Sequence, residues 1–342
     1  MSCCAPEQEP DRGTDYGADH GQIGALGVAR SVARSEAQAQ AQGQANGGED
    51  DQDLVVVAAG EFRMGCDRRE GPPADGEGPA RPVCLDAFMI DRYAVNNHRF
   101  ERFIAATNYQ TDAERLGWSF VFAGVLPDDF EATAGVSAAP WWRQVFGADW
   151  RHPEGPQSNL SGRGRWPVVH VSHGDAQAFC DWAGKRLATE AEWEKAARGG
   201  LEAKRYPWGE EETPSGQHRC NVWQGVFPSN NLVDDGFYGL APVDAFEPNG
   251  LGLYNMSGNC WEWCADWYDA RWHRVALQHS KAKLLINPRG PEDGVQRVMR
   301  GGSYLCHPSY CWRYRNAARS ASSPDSTTGH IGFRCVRDLP GR

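Results

Sequence analysis

Two cysteines five residues apart, Cys306 and Cys311, lie among tyrosines, a tryptophan and arginines. Their spacing differs from the Cys-x-x-Cys of thioredoxin-like redox pairs and zinc knuckles. The sequence shows no second cysteine pair or histidine cluster that would complete a tetrahedral zinc site. Two thiolates alone suit a soft monovalent ion such as copper(I), which accepts few ligands.

The arginines that follow this pair bear on its chemistry, because Arg313, Arg315 and Arg319 would lower the thiol pKa values and favour thiolate at neutral pH. Residue types and spacing leave two interpretations open: a functional metal-binding pair, and a structural disulfide or two buried thiols. The chain has eleven cysteines. The number is odd, and no small-domain disulfide framework fits a chain of 342 residues.

The charge of the chain narrows the classes of partner. The formal net charge is −10. Residues 1–52, with nine acidic and three basic side chains, account for −6 of this charge. A body without a basic face argues against a nucleic-acid binder and against an anionic membrane surface as partner. No apolar run is long enough for a transmembrane helix, and the start lacks the basic and apolar regions of a secretory signal. We therefore expect a cytoplasmic protein.

The elements that position the cysteines belong to a single predicted domain, residues 53–342, after a disordered low-complexity tail, residues 1–52. Strands are predicted at 54–57 and 87–90. Helices are predicted from the cap Asn96 to about Ala106, after Ser172, and from the capping box that begins at Thr189 to Arg198. Beyond Gly200 the periodicity fades. Long irregular segments usually need ions or close packing, so we expect bound metal to organise this part.

Several blocks of the chain resemble the formylglycine-generating enzymes, which activate sulfatases. The most specific is the block in which Cys306 and Cys311 follow Ser303-Tyr304-Leu305. The resemblance covers roughly residues 53–340, although a wider superfamily with non-oxidase members shares several upstream blocks. The matching blocks are residues 140–142, 150–155, 182–193, 221–225, 241–243, 255–263, 300–320 and 332–335.

The resemblance implies that family's modified C-type-lectin-like α+β fold, low in regular secondary structure. It implies that Cys306 and Cys311 bind copper(I), that the substrate cysteine joins them as a third thiolate, and that dioxygen oxidises it. The resulting thioaldehyde would hydrolyse to formylglycine. The substrate would be a Cys-x-Pro-x-Arg stretch of an unfolded or nascent sulfatase polypeptide. We expect the protein to be a monomer.

The resemblance also assigns roles to side chains around the metal. Ser303 and Tyr310 match positions that hydrogen-bond dioxygen-derived or thiolate groups, and Trp261 lines the same pocket. The pair Trp141 and Trp142 would form a floor for an extended peptide. The expected catalytic residues are Cys306, Cys311, Ser303, Tyr310 and Trp261, and the expected substrate-binding residues are Trp141, Trp142, Ser119 and His307.

Two structural calcium sites are implied by the same resemblance, and calcium suits side-chain and carbonyl oxygens of irregular loops. The alternative interpretation is that these Asn and Asp residues only make turns. The first site would use Asn221, Val222, Asp235 and Phe237, and the second Asn255, Gly258, Cys260 and Glu262.

The chain departs from the vertebrate enzyme at its disulfides and at its arginine-binding pair. One vertebrate disulfide position keeps both cysteines, Cys180 and Cys335, and a bridge there is not needed in a reducing cytoplasm. At the other, both cysteines are absent, replaced by Ala197 and Asn316. The acidic pair that receives the substrate arginine falls on Ala94 and Trp118, so how this chain binds that arginine is open.

Two other functions compete with the copper oxidase. One is a non-catalytic, lectin-like binding module in which Cys306 and Cys311 are structural. The other is an iron-dependent sulfur oxidase, which would need a histidine-rich iron site that the sequence does not show. Tight copper(I) uptake by the cysteine pair would separate the oxidase from the binding module.

Overall fold

The computed structural model describes residues 53–339, apart from 69, 132, 281 and 282. Short strands and long connections make up most of this body. The strands, numbered in chain order, are β1 (Leu54–Val57), β2 (Gly60–Met64), β3 (Arg81–Leu85), β4 (Phe88–Asp91), β5 (Trp118–Phe122), β6 (Gly135–Val136), β7 (Ala139–Phe146), β8 (Arg186–Leu187), β9 (Gly225–Val226), β10 (Asn230–Asn231), β11 (Trp261–Trp267), β12 (Leu285–Ile286), β13 (Arg297–Arg300), β14 (Ser320–Ser322), β15 (Ile331–Gly332) and β16 (Cys335–Asp338). The helices are α1 (Asn97–Thr107), α2 (Asp112–Leu116), α3 (His173–Trp182), α4 (Glu190–Ala197) and α5 (Trp272–His279).

The longer helices begin where the sequence places side-chain caps. Asn96 accepts a hydrogen bond from the backbone N–H of Arg99 at 2.9 Å. Capping boxes at Ser172 and Thr189 start α3 and α4, because each hydroxyl accepts from the third residue, whose carboxylate accepts in return. The predicted helices after these three caps are therefore confirmed. Each helix within the described residues is too short or too polar to cross a membrane.

One four-stranded sheet, in the order β1-β4-β16-β8, joins the first and last strands of the body. Val55 lies opposite Ile90, and Ile90 lies opposite Val336 on its other side. Ile90 and Val336 are fully buried, in a core that includes Trp193 of α4. Removal of this apolar surface from water stabilises the pairing of β4 with β16, in which Ile90 and Val336 are 246 residues apart in the chain.

A second four-stranded sheet, in the order β14-β13-β11-β15, flanks the two cysteines. Strands β13 and β14 stand before and after residues 301–319, hereafter the cysteine loop. Strand β15 pairs in parallel with β11, placing Trp261 opposite Ile331. The backbone N–H of Trp261 donates to the carbonyl of His330 at 2.8 Å. The sheet therefore brings Trp261 and His330 to the same region as the cysteine loop.

Three smaller sheets complete the fold, in the orders β12-β3-β2, β5-β7-β6 and β10-β9. Strand β7 carries the two adjacent tryptophans. Trp142 is buried at 1 % exposure, whereas Trp141 is half-buried. The hairpin of β9 and β10 lies over Trp141 through Phe227, whose ring centroid is 5.1 Å from that of Trp141.

Residues 201–260 contain little regular structure beyond the β9–β10 hairpin, as the sequence predicts. Buried asparagine side chains bind the backbone in this stretch. Asn259 Oδ1 accepts from Ala241 N at 2.9 Å and its Nδ2 donates to Ala241 O at 3.0 Å. Asn249 Nδ2 donates to Ala196 O at 2.8 Å, at the end of α4. These amides satisfy buried backbone groups that no strand pairing satisfies, so the segment holds its shape without long strands.

Candidate active site

The cysteine loop brings Cys306 and Cys311 together. Their Sγ atoms lie 2.7 Å apart, and both residues are buried. The backbone N–H of Cys311 donates to the carbonyl of His307 at 2.8 Å, which folds the intervening residues into a tight turn. Gly302 has a φ of +76°, and a Cβ there would come within 3.0 Å of the backbone of Tyr314. The glycine therefore lets the loop pack closely against itself.

A narrow cavity of about 10 Å³, which is room for about one water molecule, opens onto the two sulfurs. A larger groove lies over β1, β2 and the end of α4, but neither cysteine nor histidine lines it, so volume alone does not mark the site. The smaller cavity is the one that combines soft metal ligands with aromatic walls. It is lined by Trp141, Trp142, Trp261, Ser303, Leu305, Cys306, Tyr310, Cys311 and His330.

One positive charge reaches the sulfurs directly. Arg313 Nη1 lies 4.0 Å from Cys311 Sγ, and a cation beside the sulfur favours thiolate. Arg313 also pairs with Asp75, at 2.5 Å and 3.0 Å. Arg315 is bound to Glu77 and Arg319 to Glu190, so an effect of these two guanidinium groups on the thiols stays a prediction.

Aromatic rings form one wall of the cavity. Tyr310 stacks on Phe227 with centroids 4.5 Å apart and an angle of 8° between the rings. Trp141 stands edge-on to Tyr310 at 5.0 Å. The ring of His330 lies 4.5 Å from that of Trp142, and its Nδ1 is 2.8 Å from Thr328 Oγ1. Phe227 and His330 could not be predicted as site residues from the sequence, since both lie in turns without a motif of their own.

Polar groups also face the sulfurs. The backbone N–H of Ser303 lies 3.5 Å from Cys306 Sγ, and Ser303 Oγ accepts from Leu305 N at 3.4 Å. The indole N–H of Trp261 is buried and has no acceptor among the described residues. Because Trp261 lines the cavity, this N–H can donate to a polar group that enters it.

Ser119, a predicted substrate-binding residue, lies apart from the floor of the cavity. Ser119 is fully buried, with its Oγ 2.7 Å from His170 Nδ1 and 3.0 Å from Thr327 Oγ1. His170 Nε2 donates to the carbonyl of Pro153 at 2.9 Å, and burial lowers the pKa of this imidazole to about 4. His170 is therefore a neutral, hydrogen-bonded histidine. A substrate-binding role for Ser119 stays a prediction, since the structure does not bring its hydroxyl to the cavity.

His307 lies beside Cys306 at the partly exposed rim. Its Nδ1 is 2.7 Å from Ser309 Oγ, and partial burial lowers the pKa of its imidazole. The ring can therefore contact a bound peptide as a neutral group. That role stays a prediction.

The first predicted calcium site has a suitable set of oxygen atoms. Asn221 Oδ1 is buried and receives no hydrogen bond within the described chain, while its Nδ2 donates to Gly239 O at 2.8 Å. The carboxylate of Asp235 accepts from Val222 N at 3.0 Å and from Phe237 N at 2.9 Å, and burial raises its pKa. Gln224 Nε2 also donates to this half-buried carboxylate at 2.8 Å. A carboxylate and an unpartnered amide oxygen are ligand types that suit a hard cation such as Ca²⁺.

The second predicted calcium site fits only in part. Asn255 Oδ1 is buried without a donor in the described residues, as a ligand oxygen would be. Glu262, however, pairs with Arg334 at 2.7 Å and 2.8 Å and accepts from Trp193 Nε1 at 2.7 Å. Because the Glu262 charge is already neutralised, this carboxylate does not fit a calcium site as placed. In the described part of the chain, no group of three or more His, Cys, Asp and Glu side chains is arranged to hold a metal.

The remaining cysteine pair is close but not bonded. Cys180 Sγ and Cys335 Sγ lie 3.4 Å apart in the core, and both are free thiols. Burial raises the pKa of the Cys180 thiol. Asn316 donates its backbone N–H to Arg205 O at 2.8 Å.

Comparisons with known proteins agree with this geometry. Residues 38–339 match the family described as sulfatase-modifying factor enzyme 1-like domain. The chain is 57 % identical to a formylglycine-generating enzyme of Thermomonospora curvata over 286 residues, covering 83 % of this chain and 93 % of the relative. It is 53 % identical to a formylglycine-generating enzyme of Bos taurus, covering 83 % and 74 %.

Among solved structures, PvdO from Pseudomonas aeruginosa superimposes with a TM-score of 0.60 at 25 % identity, over 84 % of this chain and 94 % of that one. The shared architecture is mixed α and β with few helices. The predicted modified C-type-lectin-like α+β fold is therefore confirmed.

Proposed function

Because this chain belongs to the family of formylglycine-generating enzymes, we propose that it oxidises a cysteine of sulfatases to Cα-formylglycine. The observation that carries the proposal is the pair of sulfurs 2.7 Å apart at the floor of an aromatic cavity. Two buried thiols so placed form a soft, two-ligand site. Such a site suits copper(I) better than any hard cation.

Copper(I) held by Cys306 and Cys311 would supply the binding and reduction of dioxygen. The protein would set the protonation and the position of the two sulfurs. Arg313 favours the thiolate form of Cys311, and the Ser303 N–H holds the sulfur of Cys306 in place. The substrate cysteine would lose two electrons and two protons, which convert one dioxygen to hydrogen peroxide, and this would leave a thioaldehyde. Water then hydrolyses it to the aldehyde and hydrogen sulfide.

The aromatic walls exclude water and orient the substrate. Trp142 and Trp261 are buried around the sulfurs, and Trp141 and Tyr310 stand at the mouth. A cysteine side chain that reaches the sulfurs must pass between these rings, so the flanking peptide lies extended across Trp141. The Trp261 N–H donates to the sulfur or oxygen atoms that react.

The substrate is an unfolded or nascent sulfatase polypeptide with a Cys-x-Pro-x-Arg stretch, because only an extended chain reaches so narrow a cavity. Ala94 and half-buried Trp118 offer no carboxylate for the arginine. Calcium at Asn221 and Asp235 would stabilise the irregular segment. The cytoplasmic location, the monomeric state and the lack of nucleic-acid or membrane partners stay predictions from the sequence.

The test is incubation of the copper-loaded protein in air with a peptide that contains this motif. Aldehyde should form, with the mass change for loss of one sulfur and two hydrogens and gain of one oxygen. Cys306→Ser and Cys311→Ser should abolish the reaction, whereas Cys220→Ser, a buried thiol outside the cavity, should keep it. Full activity in either of the first two variants would contradict the proposed function.

The alternative is a non-catalytic binding module. Copper(I) titration separates the two, because a binding module should leave the Cys306 and Cys311 thiols open to alkylation after copper is added. Protection of both thiols by one equivalent of copper(I) supports the oxidase.

A further inference from the structure

Arg81, the first residue of β3, is a buried guanidinium without an ion-pair partner. It is 1 % exposed. Its hydrogen-bond acceptor is the carbonyl of Pro79, at 3.0 Å. No carboxylate of the described residues lies within ion-pair distance of it, and burial lowers its pKa to about 10. A charge held this way is costly unless something compensates it.

Arg81 stands beside a buried group of charges, hereafter the arginine cluster. The pKa of Arg81 is raised by Glu194 and Glu190 and lowered by Arg319 and Arg300. These four side chains are therefore the electrostatic neighbours of Arg81. The cluster is held by contacts between Glu190 and Arg300 (2.9 Å), Glu190 and Arg319 (2.5 Å), Glu194 and Arg300 (2.7 Å), and Glu194 and Arg198 (2.7 Å).

The cluster holds more positive than negative charge. Four guanidinium groups, including that of Arg81, face two carboxylates. Asp266 contacts the cluster through Glu190 N, and burial raises its pKa to about 7, so it adds at most one negative charge. His273 donates to Glu190 and is neutral, because burial lowers its pKa to about 3. At least one positive charge is therefore left in the interior.

Two N–H groups of the cluster also lack acceptors. Arg81 Nε and Arg300 Nε are buried and have no hydrogen-bond partner among the described residues. Two neighbouring ion pairs each have a net charge of zero, so they do not compensate the excess positive charge of the cluster. They are Arg313 with Asp75 and Arg315 with Glu77. Unbalanced charge and unpartnered donors thus occur in the same cluster.

We propose that a small monovalent anion of the halide class, chloride in ordinary salt, binds in the arginine cluster against the Nε–H of Arg81. A halide compensates one charge and needs few donors. The site lies apart from the cysteine cavity and does not depend on the proposed oxidase function.

The first test is thermal unfolding of the metal-loaded protein in sodium chloride and in sodium gluconate at matched ionic strength. With chloride about fivefold above its dissociation constant, we expect Tm to rise by about 2–4 °C relative to gluconate. Arg81→Met, which keeps the length of the side chain, should lose this rise. Arg63→Met removes an exposed arginine of the adjacent strand and should keep it.

The second test does not require a variant that folds. Crystals of the unaltered protein soaked in sodium bromide should show an anomalous bromide peak beside Arg81. Equal Tm in chloride and gluconate, or bromide-soaked crystals without a peak at this position, would overturn the proposal. A chloride effect that persists in Arg81→Met would do the same.

Discussion

At the scale of single residues, the site depends on a few groups whose partners the structure identifies. The two sulfurs face each other because one turn of the cysteine loop is closed by the bond from Cys311 N to His307 O. The nearest positive charge is Arg313. Sequence spacing indicated the sulfur pair, but not which arginine reaches it, because that depends on long-range carboxylates such as Glu77.

Trp261→Phe should lower the rate of aldehyde formation by about 10-fold or more at saturating peptide. The change keeps most of the ring packing but removes the unpartnered N–H of a ring that lines the cavity. Single-turnover assays of the copper-loaded protein measure this rate. Trp150→Phe is the matched control, because its N–H is also buried without an acceptor but lies outside the cavity. Equal losses in both variants would contradict a role for the Trp261 N–H.

Asp266 should make the protein less stable as the pH rises from about 4 to 7. Burial raises the folded-state pKa of its carboxyl to about 7, so the folded state holds a proton that the unfolded state releases at lower pH. This contribution is present below the unfolded pKa and is lost as the pH passes the folded one. Relative to wild type, Asp266→Asn should gain up to about 4 kcal/mol between pH 4 and pH 7.

Urea unfolding across that pH range measures the difference. Asp128→Asn, which alters an exposed carboxylate, should follow the wild-type profile. Parallel profiles for Asp266→Asn and wild type would show that Asp266 is ionised in the folded protein.

At the scale of elements, the β9–β10 hairpin is the part that shapes the mouth of the cavity. It contributes Phe227, which stacks on Tyr310 and stands edge-on to Trp141. The hairpin is too short to stabilise itself, so these ring contacts hold it in place. The position of Tyr310 thus depends on a separate segment of the chain.

Phe227→Leu should reduce kcat by roughly 3- to 10-fold and change KM less, because one aromatic pair that positions Tyr310 is lost. Phe227→Tyr should restore most of kcat, since it restores the stacked ring. Steady-state assays over a range of peptide concentrations separate the two constants. Phe237→Leu, which removes a ring packed on Phe246 instead, serves as the control. An unchanged kcat in Phe227→Leu would rule out this positioning role.

Local signals in the sequence predicted the starts of the helices better than the strand pairings and the distant side chains of the site. The caps at Asn96, Ser172 and Thr189 are local, and each helix begins there. The pairing of β11 with β15 and the approach of Phe227 and His330 to the cysteines depend on contacts between distant segments. A single sequence does not encode such contacts in any local pattern. The cysteine pair was predictable because its chemistry and its spacing lie within one loop.

At the scale of the whole molecule, the irregular segment 201–260 connects the two four-stranded sheets. Asparagine side chains hold it from within, and the oxygen atoms of Asn221 and Asp235 offer a place for calcium. A bound cation would add to the stability of this segment, because it binds only the folded arrangement.

Removal of calcium with EGTA should therefore lower Tm by several degrees, and added Ca²⁺ should restore it. Asn221→Ala together with Asp235→Asn should remove the response to Ca²⁺. The reference variant is Asp234→Asn, adjacent in sequence but outside the predicted ligand set. A Tm that does not respond to EGTA, with no calcium found by metal analysis, would leave Asn221 and Asp235 as turn residues only.

The order of the first sheet has a consequence for synthesis of the protein. Strand β4 lies between β1, near the start of the body, and β16, near its end. The ribosome must therefore release the body as far as β16 before Ile90 can meet Val336. We expect the first sheet to close only after β16 has emerged, so truncated products that lack β16 should be degraded quickly by proteases in the cell.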